Sequence, residues 1–323
     1  MPAPILPVPI LLVTGFLGAG KTTLINHLLT HAAGRRLAAV VNDFGAIDID
    51  AELLGGVADD IVSLKNGCIC CSLQGDLLQT LSKILRRTPA PDAIVIETSG
   101  ISDPAEIVRA LLDPVIWREA ALDTVLCLAD AKHLTDDPAL LDDPICRAQI
   151  KAADFVALNK TDLADPAAMR ERLRSLKPDN AIFDIQHGQF PLDLLFDNAL
   201  HQPWPAPRAA PRFSTPGFES TTWTSPVALD LGRFQTVIGH MAGRLIRAKG
   251  FVQFASHPGQ PMLFQYVGER ATIGPAPPQT ATGEMVRLVL IARLGRLDAE
   301  RFASRLVACR VHPEQPRTHE VAR

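Results

Sequence analysis

The residues whose types and spacing say most about chemistry are Gly15-Phe16-Leu17-Gly18-Ala19-Gly20-Lys21-Thr22-Thr23. They match G-x-x-x-x-G-K-[ST], in which glycines let backbone N–H groups turn inward around phosphate oxygens. Gly15, Gly18, Ala19 and Gly20 would form the curve, and a helix opening at Lys21 would add the positive end of its dipole. Lys21 then meets the β- and γ-phosphates, Thr22 ligates Mg²⁺, and Thr23 stands beside it at the phosphates. A glycine-rich turn with a solvated lysine is the plainer reading. It requires neither a strand before the motif nor a helix after it, and both are expected here.

Asn159-Lys160-Thr161-Asp162 ends another apolar run. This N-K-x-D arrangement suits guanine, because the Asp162 carboxylate can accept from both the ring N–H and the exocyclic amine that adenine lacks. ATP would leave that carboxylate unpaired and be rejected. Between the two motifs, Ile94-Val95-Ile96-Glu97-Thr98-Ser99-Gly100 runs apolar into a carboxylate and a glycine. Glu97 is assigned to the Mg²⁺ shell, through water, and the Gly100 N–H to the γ-phosphate. A competing assignment makes Asp130, at the end of the next strand, the acid and Glu97 a structural residue. The ligands expected at this site are GTP or GDP with Mg²⁺.

Gly67-Cys68-Ile69-Cys70-Cys71 holds three of the six cysteines. On an extended backbone Cys68 and Cys70 point the same way, and Gly67 relaxes the turn so that Cys71 can swing round. Three thiolates suit Zn²⁺, with Co²⁺ or Ni²⁺ as alternatives, and an open fourth position is what a site that releases its ion needs. The plainer readings are a redox pair at Cys70 and Cys71, or thiols packed against the sheet. Cys127, Cys146 and Cys309 lie in apolar surroundings and read as inert core residues, and His187 and His240 as satisfied surface or core side chains. Asn42-Asp43-Phe44-Gly45 follows the second strand, where a loop would cross the γ-phosphate and order with GTP. There Asp43 would contact Mg²⁺, complete the thiol site, or serve as a plain turn residue.

Positioning these motifs takes a sheet. From residue 10 to about 195, short apolar runs alternate with amphipathic stretches, the mark of a mostly parallel sheet covered on both faces. Strands are expected at Ile10–Thr14, Leu37–Asn42, Ile61–Leu64, Ala93–Glu97, Thr124–Asp130, Phe155–Asn159 and Ala181–Asp184. Helices are expected at Lys21–His31, Ser72–Arg86, Pro104–Leu112, Pro144–Ala152 and Pro166–Leu176. The fold class is therefore α/β, a doubly wound P-loop sheet over 1–196, followed by a Pro-rich linker at 197–217 and a smaller α+β domain over 218–323. That second domain is expected to hold strands at Glu219–Ser225, Phe251–Ala255, Met262–Val267 and Met285–Ala292, with helices at Leu231–Arg247 and Asp298–Cys309.

A net charge of −3, with 21% charged and 47% apolar residues, offers no electrostatic footprint for nucleic acid. The apolar start MPAPILPVPILLV is broken by Pro2, Pro4, Pro7 and Pro9 and lacks a basic beginning, so it reads as the lead-in to a buried strand. No run of about 18 apolar residues appears. The expectation is a cytoplasmic chain without a membrane partner.

With these residues in place, the chain resembles the CobW-type metal chaperone GTPases, relatives of UreG and HypB. The motifs that carry the resemblance are GFLGAGKTT at 15–23, NDFG at 42–45, GCICC at 67–71, ETSG at 97–100, NKTD at 159–162 and RAKGFV at 247–252. Membership implies GTP hydrolysis with Mg²⁺, Zn²⁺ or Co²⁺ binding at Cys68, Cys70 and Cys71, and transfer of the ion to a client metalloprotein or metal-requiring enzyme. A homodimer is left open. Two departures stand out. The family's usual switch reads N-E-F-G-E, whereas Asp43 and Ala46 occupy the acidic positions here, and the Pro-rich linker stands where many members carry a histidine-rich stretch.

If the thiols take the metal, changing Cys68, Cys70 and Cys71 together to Ser abolishes any stimulation of GTP hydrolysis by Zn²⁺ and leaves the metal-free rate in place. A phosphate-release assay with and without the ion checks this, and unchanged stimulation would exclude the thiols.

Overall fold

The computed structural model describes residues 7–32, 34–42, 61–64, 73–113, 116, 119–177, 181–196, 217–276 and 284–311, with backbone alone at 42, 61–64 and 73–76. The chain divides into two compact units, one of Leu6–Asn198 with Val267–Arg270, the other of Met1–Ile5, Ala199–Tyr266 and Ala271–Arg323.

The first unit is a seven-stranded sheet. Its strands are β1 (Val8–Gly15), β2 (Leu37–Asn42), β3 (Ile61–Leu64), β4 (Ala93–Glu97), β5 (Ala120–Asp130), β6 (Phe155–Asn159) and β7 (Ile182–Asp184), in the order β3-β2-β4-β1-β5-β6-β7. Every neighbouring pair is parallel. The helices between them are α1 (Lys21–Thr30), α2 (Leu73–Leu85), α3 (Ala105–Leu111), α4 (Ala131–Asp136), α5 (Pro144–Ala152), α6 (Pro166–Leu173) and the short α7 (Leu192–Leu195). Strands covered on both faces need no alternation, and β4 and β6 are buried at every residue, which is why AIVIE and FVALN read as unbroken apolar runs. Leu77, Leu81 and Ile84 of α2, Ile107 and Leu111 of α3, Ile150 of α5 and Met169 and Leu173 of α6 join Ile10, Leu12, Ile94 and Ile96 in one core. Because all seven strands are parallel, Gly15, Asn42, Leu64, Glu97, Asp130, Asn159 and Asp184 end on the same edge of the sheet. In open α/β sheets that edge is where ligands bind.

The second unit is a five-stranded sheet ordered β11-β10-β9-β12-β8. It comprises β8 (Phe218–Ser225), β9 (Leu245–Gln253), β10 (Pro261–Val267), β11 (Arg270–Pro275) and β12 (Val286–Arg293), with α8 (Leu231–Met241) and α9 (Ala299–Val307). β12 runs antiparallel to both β8 and β9. The helix expected over Leu231–Arg247 stops at Met241, and Leu245 to Gln253 is one strand rather than a helix end followed by Phe251–Ala255. Arg244 and Arg247 mimic the basic last turn of a helix, but Arg247 and Lys249 are buried strand residues. Gly250 fits only there: a Cβ at this position would stand 2.0 Å from the Arg287 carbonyl oxygen on β12. β11 was not expected from the sequence, since ATIG between Arg270 and Pro275 is short and only weakly alternating.

The second core centres on Phe234, which is fully buried, with its ring 5.5 Å from that of Phe254 and 4.9 Å from that of Phe264. Phe234→Ala removes both edge-to-face contacts and opens a cavity, so unfolding of this unit is expected about 3–5 kcal/mol easier. Urea denaturation followed by circular dichroism measures the loss, and a cost below about 1 kcal/mol would show that the cluster does not hold the unit.

Candidate nucleotide site

The loop from Gly15 to Gly20 is shaped by three glycines with φ of 140°, 74° and 97° at Gly15, Gly18 and Gly20, a region L side chains rarely enter. Close neighbours add to this at two of them. A Cβ on Gly15 would lie 2.3 Å from the Leu128 carbonyl oxygen, and one on Gly20 would lie 2.6 Å from Nδ2 of Asn159.

The helix that follows is left uncapped. α4, α5, α6, α8 and α9 each begin behind an aspartate whose carboxylate accepts backbone N–H bonds. α1 begins behind Gly20 with no side-chain cap and no acidic residue in its first turn. Its N-terminal N–H groups and dipole are thus available to an anion rather than to an internal carboxylate.

Donors hold the loop's carbonyls. Nζ of Lys21 donates to Gly15 O at 3.0 Å and Phe16 O at 3.3 Å. Lys160 Nζ donates to Gly18 O at 3.0 Å, and Asn159 Nδ2 to Ala19 O at 3.0 Å. Lys160 also pairs with Asp130 at 2.6 Å, while Asp130 caps α4 by accepting from the His133 N–H. Asp130 is therefore engaged with Lys160 and a helix terminus. The acid beside Thr22 is Glu97, whose Oε1 lies 3.4 Å from the Thr22 hydroxyl. Register explains the placement: Val13 of β1 pairs with Glu97 of β4, and the Thr98 N–H donates to Val13 O at 2.9 Å. Glu97 is only 3% exposed, and a hydroxyl with a buried carboxylate is a hard-oxygen donor set that fits Mg²⁺. Gly100 packs on the phosphate loop so closely that a Cβ there would sit 2.9 Å from the Leu17 nitrogen.

The Asn159–Asp162 turn is pinned at its far side. Lys160 has φ of 60°, and the Thr161 hydroxyl donates to Ile185 O at 3.0 Å. Asp162 is exposed at the rim. The loop after β7 was not among the expected site segments. His187 and Gly188 have φ of 51° and 69°, the Gly188 N–H donates to Asn159 Oδ1, and Gly188 backs onto Leu24 of α1. Gly188 therefore lies against both the Asn159 turn and the first turn of α1. A His-Gly pair was the available signal, and it reads as an ordinary turn.

Asp43, Cys68, Cys70 and Cys71 lie outside the described residues. The other three cysteines are buried free thiols. Burial pushes the Cys127 thiol far up, and burial with the nearby Asp143 carboxylate pushes Cys146 up to about 11. At neutral pH both stay protonated and poor as metal ligands, as expected of core cysteines. Among the described residues no group of three or more His, Cys, Asp or Glu side chains could hold a metal ion, and no helix is long and apolar enough to cross a membrane.

Residues 9–184 match the family described as CobW/HypB/UreG, nucleotide-binding domain, and residues 218–310 match the cobalamin synthesis protein cobW C-terminal domain. The chain belongs to the CobW/HypB/UreG family. As a member it is a P-loop GTPase. Among curated relatives, the zinc chaperone YjiA of Escherichia coli is 33% identical over 277 residues, covering 81% of this chain and 86% of YjiA. The zinc chaperone CobW of Sinorhizobium sp is 36% identical over 189 residues, covering 50% of this chain and 53% of that protein. A crystal structure of Zn(II)-bound YjiA GTPase from E. coli aligns with 95% of this chain and 100% of its own at 24% identity and a TM-score of 0.44.

Asp162→Ala is expected to weaken GDP binding by roughly a hundredfold, the scale of two charge-assisted hydrogen bonds, and to narrow the preference for GDP over ADP. Because Asp162 is exposed, the thermal midpoint should hold. Titration with fluorescent GDP and competition by ADP reads both, and an unchanged ADP/GDP ratio would remove Asp162 from base selection.

Proposed function

We propose that this chain is a GTP-driven metal chaperone that binds a thiophilic ion, Zn²⁺ or Co²⁺, at Cys68, Cys70 and Cys71 and hands it to a client metalloprotein. The observation that carries the reading is topological. The strand leading to the thiols, β3, ends on the same sheet edge as the phosphate loop, three strand spacings or roughly 15 Å from β1. β3 thus ends at Leu64, ahead of the thiols in sequence, on the edge that in this reading holds the nucleotide, and β2 ends there at Asn42, ahead of Asp43. The zinc chaperone names of the relatives YjiA and CobW lend support.

In this reading Lys21 offsets charge on the β- and γ-phosphates, the N–H groups of Gly18 to Thr23 hold their oxygens, and Asp162 selects guanine. Thr22 and Glu97 would hold Mg²⁺, which when bound neutralises charge on the leaving diphosphate. The Gly100 N–H orients the γ-phosphate. Asp43 follows β2 into the switch and links nucleotide state to the thiols. Intrinsic turnover is slow, since the sequence places no arginine within the phosphate-loop motif, and the client or the metal supplies the remaining acceleration.

The test is Zn²⁺ and Co²⁺ affinity by competition with a chromophoric chelator, on apo protein with Mg²⁺ plus GDP or a non-hydrolysable GTP analogue. A carrier gated by GTP shows at least a roughly tenfold difference between the two nucleotides, and the metal must shift nucleotide affinity by the same factor. Equal affinities in both states would overturn the gated carrier and leave a GTPase whose zinc is structural and whose work is to activate a docked metalloenzyme.

A further inference from the structure

We propose that Gln149 is a positioning residue for GTP hydrolysis, holding the Gly100 loop in the geometry that recognises the γ-phosphate. This rests on the reading of Gly100 as a γ-phosphate contact.

Gln149 lies on α5, a helix fixed by the Asp143 cap at its start and by Cys146 and Ile150 in the core. Its side chain is 1% exposed. From there Nε2 donates to two carbonyls of one loop, Gly100 O at 3.1 Å and Ser102 O at 3.2 Å. The other end of the amide, Oε1, is buried and has no hydrogen-bond partner among the described residues. The group thus acts as a pure donor. Its orientation follows from the chemistry, since turning it over would set an oxygen against two carbonyl oxygens.

The segment it grips is a tight turn, closed by the Ser102 N–H and hydroxyl on Ser99 O. The turn is held on two sides, by Leu17 of the phosphate loop at the Gly100 Cα and by Gln149 at the Gly100 carbonyl. A loop that must present one N–H to a phosphate oxygen needs its flanking peptides immobilised, or the triphosphate has to order them at the expense of binding and rate. GDP lacks the γ-phosphate and makes no such demand. The inference is therefore a selective one: Gln149 matters for the triphosphate and for turnover, and little for GDP.

Gln149→Met keeps length and removes both donors; Gln149→Glu keeps shape and turns an acceptor toward the two carbonyls. Affinity for GDP, affinity for a non-hydrolysable GTP analogue, and kcat are measured with Mg²⁺ on the full chain. In Gln149→Met, GDP affinity is expected within about twofold of wild type, while analogue affinity and kcat each fall roughly tenfold, as for a buried hydrogen bond left unmade. Gln149→Glu is expected to fall further. Equal losses for GDP and analogue, or none, would overturn the proposal, whereas a wild-type chain unable to tell the analogue from GDP would overturn the γ-phosphate reading itself. Should neither variant fold, amide exchange on the wild type decides: with the analogue bound, 99–102 as protected as α5 supports the anchor, and exchange at exposed-loop rates rejects it.

Discussion

Everything at this site depends on keeping a six-residue loop in a conformation that side chains forbid and that carbonyls would ordinarily resist. Gly15, Gly18 and Gly20 remove the steric objection. The carbonyls of Gly18 and Ala19 are met by donors from a turn some 140 residues further along, through Lys160 and Asn159. With those oxygens occupied, the loop's geometry is set before any phosphate arrives, and the ordering cost is borne by folding rather than by binding.

The same turn is tied down in its own right. Lys160 stands at a positive φ, a strain of order 1–3 kcal/mol for a non-glycine residue. Its ion pair with the nearly buried Asp130 and the Thr161 bond to Ile185 oppose that strain. Asp130 closes the circuit by capping α4. One aspartate thus fixes a helix start and a lysine, and the lysine fixes the phosphate loop. Of the two candidate acids, Glu97 is the one beside Thr22, while Asp130 is taken up by Lys160 and a helix start.

How far the sequence revealed this depended on whether the signal was local. The parallel sheet was legible from AIVIE, FVALN and their like, since strands buried on both faces must be apolar throughout. The phosphate loop and the Thr22–Glu97 neighbourhood followed from motifs whose strand-end contexts were themselves legible. Hidden were the long-range choices. Nothing in Asn159 or Lys160 says that their side chains face the phosphate loop, and nothing in PICRAQIKA says that Gln149 reaches Gly100 and Ser102. The second unit misled for a physical reason: Arg247 and Lys249 are cations in a buried strand, and a pattern that assumes exposed charge carries the helix on to Arg247 and starts the strand only at Phe251.

Gln149 and Glu97 approach the ETSG segment from different elements and constrain different parts of it. Glu97 is the last residue of β4, and the ladder to β1 fixes its backbone. Gly100, three residues on, has left the ladder and depends on packing against Leu17 and on one amide from α5. The two anchors are complementary: the sheet fixes the backbone at Glu97, and Leu17 with Gln149 fixes Gly100 beside it. Two hydrogen bonds from a single buried side chain are enough to define a position once the ladder has ended, which is what a loop proposed to present one N–H to a phosphate oxygen requires.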